Sequence, residues 1–563
     1  MAKNKWLPII IGLFFFSGLS ADSLGQVTVT TARKYLVLLK DKANSPFSIN
    51  RPEQFLSQRA ILRRQRQNIP VQEKDLPVNP SYIQQISQTG AKIWFSSRWL
   101  NAVLIEATDP QLTAVQGLAF VKGLEFNAPL ANARLSVQTN TATPAASYAI
   151  ATANRQEAQT DKFGEIAPLS YGASQEQITQ LGANQMHQKG YRGEGMLIAV
   201  LDAGFRNAHQ VPFLQPLFQE NRIVGTYDFV AKEYSVYEDD SHGLSVLSTI
   251  AGTSDNMLYG TAFKASFLLL RTEDARSETR VEEANWLFGA EYADSTGVDI
   301  INSSLGYNRF DGGISYSYQD MNGRTALASR AAQWAAEAGM VVVVSAGNEG
   351  NDPWKYISVP ADADQILAIG AVNRQGLRAP FSSFGPAADG RIKPDLAAVG
   401  WGTVLGSPGG TIVTGNGTSF AAPLVAGLAA GFWQAHPRLT AAQIIDCLRR
   451  SGSQYATPDA ELGYGIPNFE RASMVAADRY SLFVFPNPFS DADQLVIHWV
   501  EPENGGPIDA TLHDVSGRLI WQQRFANQNE QMSLAQNLYL TPGMYFLTLS
   551  TVSRKRTIKV VKQ

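Results

Sequence analysis

Three polar residues stand directly after apolar runs or at helix starts, where packing alone does not ask for them. Asp202 closes the run Met196–Leu201 and is followed by Ala203-Gly204. His242 lies in Asp239-Asp240-Ser241-His242-Gly243, which opens a helical run over Leu244–Gly252. Ser419 ends Gly415-Asn416-Gly417-Thr418-Ser419 and opens an apolar helix over Phe420–Trp433. Each has an ordinary reading by itself: a turn-forming aspartate, a histidine at a helix start, a serine N-cap. Together they supply an orienting carboxylate, a base and a nucleophile, in the order Asp, His, Ser. That set suits nucleophilic acyl transfer. A serine hydroxyl attacks poorly until an imidazole takes its proton, and a carboxylate fixes the imidazole's tautomer and stabilises it once charged. Backbone N–H groups at a helix start favour the negative charge that develops there. Asn348, in Ala346-Gly347-Asn348-Glu349-Gly350 after the run Met340–Ser345, has an amide N–H to offer an oxyanion; otherwise Gly-Asn is a plain turn.

Such residues need a scaffold that gathers strand ends. Over residues 171–478, apolar strand-like runs (Met196–Leu201, Ser266–Leu270, Val298–Asn302, Met340–Ser345, Ile366–Val372) alternate with helical runs such as Arg280–Ser295 and Arg324–Ala338. The alternation predicts an α/β fold, a parallel sheet with helices on both faces. Ligands of such sheets bind at the carboxyl ends of the strands, where the candidates stand. Residues 26–126 read as a small α+β unit. Tyr35–Lys40 alternates like a strand, and Pro52–Gln67 is helical with Phe55, Leu56, Ala60 and Ile61 on one side. Ala91–Glu106 reads as two strands, and Pro110–Gln116 begins another helix. Residues 127–170 lose periodicity and read as an exposed linker rich in Ala, Thr, Asn and Gln. Over residues 479–563, short alternating segments (Ser481–Phe485, Gln494–Trp499, Asp509–Asp514, Leu519–Arg524, Gly543–Leu549, Arg556–Val561) predict an all-β sandwich.

A chain of 563 residues has room for two to four domains. Its 44% hydrophobic and 17% charged content is that of a globular protein. A formal net charge of -3 without a basic stripe argues against nucleic acid as a partner. The single cysteine, Cys447, excludes a disulfide framework and reads as a buried small hydrophobe in Ala441–Arg450. Lys3 and Lys5, the apolar stretch Trp6–Leu19 and the small residues Gly18, Ser20 and Ala21 read as an export signal over residues 1–25. The stretch is shorter than the ~20 residues of a membrane span. The mature chain is therefore expected outside the cytoplasm. The basic run Arg63-Arg64-Gln65-Arg66 reads as the solvated face of a helix, with a processing site as the alternative.

The motifs resemble those of one family. Gly417-Thr418-Ser419-Phe420-Ala421-Ala422-Pro423 is similar to the G-T-S-x-A-x-P nucleophile motif of the subtilisin-like serine proteases. His242-Gly243, with Val246 and Ile250-Ala251-Gly252, resembles their histidine helix, and Asp202-Ala203-Gly204 their aspartate motif. The resemblance implies a subtilisin-like doubly wound parallel sheet, preceded by a small α+β propeptide that assists folding and blocks the cleft. It implies a secreted serine endopeptidase working through Asp202, His242 and Ser419, with Asn348 in the oxyanion hole. Self-cleavage is expected in or just after the linker. Further positions carry over. Ser304-Leu305-Gly306 resembles the strand that pairs with an extended substrate and lines the specificity pocket. Ala346-Gly347 resembles the opposite wall, and Ser358 stands near the pocket floor before a cis Val359-Pro360. Glu349 falls where it would touch a basic side chain, which implies tolerance of Lys or Arg before the scissile bond.

Two residues depart from the family pattern. Ala203 stands where Ser or Thr is usual, which removes one hydrogen bond near the aspartate. Leu244 stands where Thr is usual. Both bear on rate more than on activity. No cofactor is expected for the chemistry. Family members often bind structural calcium, but Glu238-Asp239-Asp240, Asp362 and Asp364 have no recognisable ligand spacing and read as solvated loops.

At the C-terminal end, Phe485-Pro486-Asn487-Pro488-Phe489, the segment Leu512–Arg518, Pro542-Gly543-Met544-Tyr545-Phe546 and the basic end Lys555–Lys562 resemble the sorting domains of type IX secretion substrates. An appended adhesion or carbohydrate-binding module is the alternative. The partners so implied are protein or peptide substrates, the chain's own propeptide and the type IX secretion machinery. The location implied is extracellular or attached to the outer-membrane surface. Among competing readings, a non-catalytic, protease-like binding protein would keep the fold; the complete set with Asn348 argues against it. An α/β-hydrolase esterase wants G-x-S-x-G and the order Ser, Asp, His, and Ala421 and the last-placed Ser419 break both. No H-E-x-x-H occurs, against a metalloprotease.

Overall fold

A computed structural model describes residues 31–132, 169–479 and, toward the C-terminus, 482–485, 487–490, 495–499, 507–525, 531–533, 540–551 and 555–563. The expected export signal and most of the expected linker lie outside the described residues.

Seven strands form one parallel sheet. They are β1 (Leu197–Asp202), β2 (Ile223–Asp228), β3 (Ser266–Arg271), β4 (Ile300–Ser303), β5 (Val341–Ser345), β6 (Leu367–Val372) and β7 (Leu396–Val399), in the spatial order β7-β6-β5-β4-β1-β3-β2. The direction of winding reverses at β1. Leu197, Ala199 and Leu201 point into one core, Ile198 and Val200 into the other. Burial on both faces explains why the strands read as continuous apolar runs. Helices α1 (His242–Ala251) and α4 (Thr418–Ala435) cover one face, and α2 (Val281–Thr296) and α3 (Leu327–Glu337) the other. This is the doubly wound sheet expected. Strands β2 and β7 escaped the sequence: β2 is a half-buried edge carrying Gly225, Thr226 and Asp228, and β7 has 4 residues.

The N-terminal unit is an antiparallel sheet ordered Lys92–Ser97, Ala102–Ala107, Arg33–Leu39, Val121–Leu124. Tyr35, Val37 and Leu39 face its own helices. Leu36, Trp99 and Leu104 face the other way and share the core of α2 and α3. Ala131–Asn132 pairs with the strand Arg33–Leu39, and Leu130 is 3% exposed in the shared core. Residues 130–132 thus add to this sheet.

The basic run does not form a solvated face. Ser57 caps the helix Gln58–Arg66, accepting from Ala60 N at 3.1 Å. Gln65 and Arg66 are exposed, but Arg63 and Arg64 are 0% and 3% exposed. Arg63, Arg64 and Arg98 converge on the buried Asp294 of α2, the last two at 2.9 and 2.6 Å. Arg64 also holds Asp75 at 3.0 Å. Nearby, Glu291 accepts from Ser97 Oγ at 2.5 Å, Arg98 N at 2.9 Å and Trp99 N at 3.1 Å. A charge run stays in water only when no counter-charge faces it; here α2 supplies one. Burial by itself would raise the pKa of Asp294, but the guanidiniums of Arg64, Arg63 and Arg98 outweigh it and hold it down at about 2. Asp362 is a second correction. It is buried and accepts from Gly323 N at 2.7 Å and from Ser329 Oγ. Cys447 is buried, as read.

Toward the C-terminus, two antiparallel sheets share one core, with Val484 and Ile497 from one and Leu512, Leu547 and Leu549 from the other. Among the described residues no helix is long and apolar enough to cross a membrane.

Replacing Asp294 with alanine leaves three guanidiniums facing an apolar side chain. Breaking a buried pair in this way costs about 3–5 kcal/mol. The variant should unfold at lower denaturant than the parent when both are measured as full-length chains.

Candidate active site

Neighbouring strands β5, β4 and β1 deliver their carboxyl ends side by side. β1 ends in Asp202, β4 leads into Ser304-Leu305-Gly306, and β5 leads into Ala346-Gly347-Asn348. Helix α1 brings His242 against them. Its first turn is tied down by Asp240 Oδ1, which accepts from His242 N at 2.7 Å, and by Gly204 O, which accepts from Gly243 N at 3.0 Å. Gly243 is what allows the approach. A Cβ there would stand 2.6 Å from Gly204 O and 2.9 Å from Asp202 Cβ. His242 Nδ1 lies 2.7 Å from Asp202 Oδ1, which also accepts from Ala203 N at 2.9 Å. Asp202 Oδ2 is buried with no hydrogen-bond partner among the described residues. The alanine at 203 has no hydroxyl to offer it.

Ser419 is the second residue of α4, and Gly417 caps that helix at φ 153°, a conformation that favours glycine. The serine is 8% exposed. Its hydroxyl donates to Ser304 O at 3.3 Å, and Ser304 Oγ donates to Ser419 O at 2.8 Å. In this structure, then, the Ser419 hydroxyl is turned to a backbone carbonyl. The ring of Phe420 lies 5.8 Å from that of His242.

Asn348 is held by Thr418. Its Oδ1 accepts from Thr418 N at 2.9 Å and from Thr418 Oγ1 at 3.1 Å. A backbone N–H can only donate, so the amide oxygen must face it and the amide nitrogen must face away. Thr418 Oγ1 in turn lies 3.1 Å from Gly347 O and 3.2 Å from Gly347 N.

A slot opens beside these groups. A Cβ on Gly306 would meet Ser358 Cβ at 3.0 Å. One on Gly347 would meet Glu349 Oε2 at 2.5 Å, Ser383 Oγ at 2.8 Å and Ser358 Oγ at 3.0 Å. The two glycines therefore leave space bounded by Ser358, Ser383 and the Glu349 carboxylate. Glu349 Oε2 accepts from Ser383 Oγ at 2.8 Å and from Ser358 Oγ at 3.4 Å. Ala346 O accepts from Ser358 N at 3.1 Å, and Leu305 is buried. The Val359-Pro360 bond is cis, as the resemblance implied. Ser383 escaped the sequence reading because it sits in no motif. Thr418 lay inside the motif without a role.

Burial pushes the His242 pKa down. The charge of Asp202, its hydrogen bond, and the charges of Glu273 and Asp240 push it up and prevail, leaving it at about 9. Among the described residues, no three His, Cys, Asp or Glu side chains are grouped to hold a metal ion. The acidic segment thought of for calcium has other partners: Glu238 accepts from Ser235 Oγ at 2.7 Å and Asp239 meets Arg271 at 3.2 Å.

The chain has relatives. The subtilase family model matches residues 193–465, a peptidase S8 propeptide domain of Bacteroidota matches 34–143, and a secretion-system C-terminal sorting domain matches 483–563. Subtilisin NAT of Bacillus subtilis subsp. natto is 33% identical over 300 residues, 53% of this chain and 70% of that protein. Subtilisin of Bacillus pumilus is 32% identical over 300 residues, 53% of this chain and 97% of that protein. Among solved structures, MycP1 with its N-terminal propeptide removed is 25% identical at a TM-score of 0.43, over 53% of this chain and 96% of that one. The chain belongs to the subtilase family. It is a serine endopeptidase that carries a propeptide and a secretion sorting domain.

An imidazolium cannot accept a proton, and kcat/KM reports the free enzyme. Since the His242 pKa is raised to about 9, kcat/KM on a neutral peptide should climb with pH until about 9. Hydrolysis rates from about pH 6 to about pH 10 check this; a limb near the unperturbed value of ~6.5 would show that the carboxylates are not felt.

Proposed function

We propose that this subtilase cleaves proteins through a triad of Asp202, His242 and Ser419, with an acyl-enzyme intermediate, and matures by cutting itself. The observation that carries the reading is the 2.7 Å contact of His242 Nδ1 with Asp202 Oδ1. It leaves Nε2 as the nitrogen available to the nucleophile. Deprotonated His242 takes the Ser419 proton once a substrate turns the hydroxyl away from Ser304 O. Ser419 Oγ then bonds to the scissile carbonyl carbon. Asn348 Nδ2 and the N–H groups at the start of α4 receive the oxyanion. Asp202 stabilises the imidazolium, which returns the proton to the leaving amine. Water repeats the sequence to release the acid.

Ser304, Leu305 and Gly306 line one side of the slot and Ala346 and Gly347 the other, with Ser358 at its floor. Glu349 there gives a modest tolerance of Lys or Arg before the scissile bond. In the proposed organisation, residues 1–25 are an export signal, 26–126 the propeptide, 127–170 the linker holding the processing site, 171–478 the peptidase and 479–563 the sorting domain. The propeptide match to residue 143 supports a boundary somewhat later than 126. The sorting-domain match supports export by type IX machinery to the exterior or the outer-membrane surface.

A Ser419→Ala chain should stay full length and fail to digest casein, while the parent trims itself and digests it. Mass spectrometry of the precursor and a casein assay decide; identical behaviour of the two, both inert, favours the binding-protein reading. Asn348→Ala should lower kcat by about 10²–10³-fold, a magnitude measured on subtilisin itself and carried over here. Glu349→Gln should lower kcat/KM on Lys peptides relative to neutral ones. An unchanged Lys-to-neutral ratio would sink the role given to Glu349.

A further inference from the structure

One end of the C-terminal four-stranded sheet is apolar on both faces. Its strands lie in the order Leu519–Phe525, Ile508–Asp514, Gly543–Ser550, Lys555–Lys562. Successive side chains of a strand point to opposite faces. Leu512, Tyr545, Leu547 and Val560 point into the core. A sheet with its other face in water is expected to be polar there. At one end it is: Asp509 meets Arg524 at 3.5 Å, and Thr548 Oγ1 lies 2.8 Å from Thr557 Oγ1. At the other end the rule fails. His513 stands opposite Leu519 on one side and Phe546 on the other, Phe546 stands opposite Lys559, and Met544 opposite Val561. Leu519 is 47% exposed, Met544 42% and Phe546 37%. Val515, in the turn between Asp514 and Arg518, is 70% exposed.

Large apolar side chains gathered on one exposed face mark a contact with something less polar than water. Cations stand beside them. Lys559, in the same row as Phe546, is exposed and makes no ion pair among the described residues. Arg518, at the turn, is largely exposed although it meets Asp514 at 3.1 Å. Apolar side chains at the tip of a rigid sheet, with long cationic stems next to them, fit the boundary of an anionic bilayer. The apolar groups leave water for the acyl region, and Lys and Arg reach the phosphates.

The other end of the same sheet meets the peptidase, where Arg556 pairs with Asp478. About 17 Å of strand separate Arg556 from Val561, at roughly 3.3 Å per residue. The apolar tip therefore lies away from that junction and is open to a surface.

We propose that this tip is a lipid-contact site, which seats the sorting domain on an anionic membrane surface through Val515, Leu519, Met544 and Phe546, with Lys559 and Arg518 at the phosphates. It goes beyond the export reading, and it does not require an active peptidase.

The test floats the full-length Ser419→Ala chain with vesicles of phosphatidylcholine alone or of phosphatidylcholine and phosphatidylglycerol in equal parts. The chain should rise with the mixed vesicles, and less so as salt is added. Phe546→Thr and Leu519→Thr should each weaken the partition by about tenfold. Both side chains stand largely in water in the free protein, so the thermal unfolding of these variants should match the parent's. Lys559→Glu should weaken binding to the mixed vesicles and leave phosphatidylcholine unaffected, which a merely structural role would not do. In a Phe546→Trp chain, the emission should gain a blue-shifted component that bromine on the acyl chains quenches. No flotation with the mixed vesicles overturns the proposal and leaves the face to a protein partner. Equal flotation of the two threonine variants, or no shifted and quenched emission from Phe546→Trp, overturns it as well. Recovery of the chain outside the cells is a separate readout: a chain that floats but is not exported fails the export reading and leaves the lipid contact standing.

Discussion

The close approach of α1 to the end of β1 is the constraint on which the site depends. It sets His242 against Asp202 at 2.7 Å, and it exists because Gly243 has no side chain to strike Gly204 O. Everything else follows from where β1 lies. The winding reverses there, so loops from both directions open a crevice over its carboxyl end. β4 and β5, on one side, contribute the slot and Asn348. β3, on the other, ends at Arg271, in register with Asp202. Helix α4 crosses beneath and presents Ser419 from its first turn.

Charge is distributed unequally across the molecule, and the inequality is informative. On the outer face of α2, Asp294 meets three guanidiniums and is held ionised. At the opposite end, Glu282 of the helix and Glu278 just before it meet no guanidinium among the described residues and are pushed toward their neutral forms. One end is complete with the N-terminal unit in place. The same helix thus serves the contact that holds the propeptide unit.

The propeptide unit is bound by more than charge. Leu36, Trp99, Leu104 and Leu130 join the apolar core of α2 and α3, so one face of its sheet is buried against the larger domain. A buried ion-pair cluster at the edge of an apolar contact adds little net stability over well-packed hydrophobes, but it penalises any misplacement heavily. That suits an interface whose register matters.

The elements and the reactive residue types were legible in the sequence because they are set by short-range patterns. Apolar runs of strand length, helical periods, and the motifs around Asp202, His242 and Ser419 are local, and the structure has strands and helices where those patterns stand. The edge strand β2 and the four-residue β7 were not legible, since neither carries a clean period. The environment of each charge was decided by the tertiary structure alone. Arg63 and Asp294 are 231 residues apart, and nothing near either one tells that a basic run will be buried. The direction of the Ser419 hydroxyl, the place of Ser383 behind Glu349 and the raised imidazole all depend on groups that only folding brings within a few ångströms. Electrostatic energy varies with distance and burial, and both are properties of the folded chain rather than of the order of its residues.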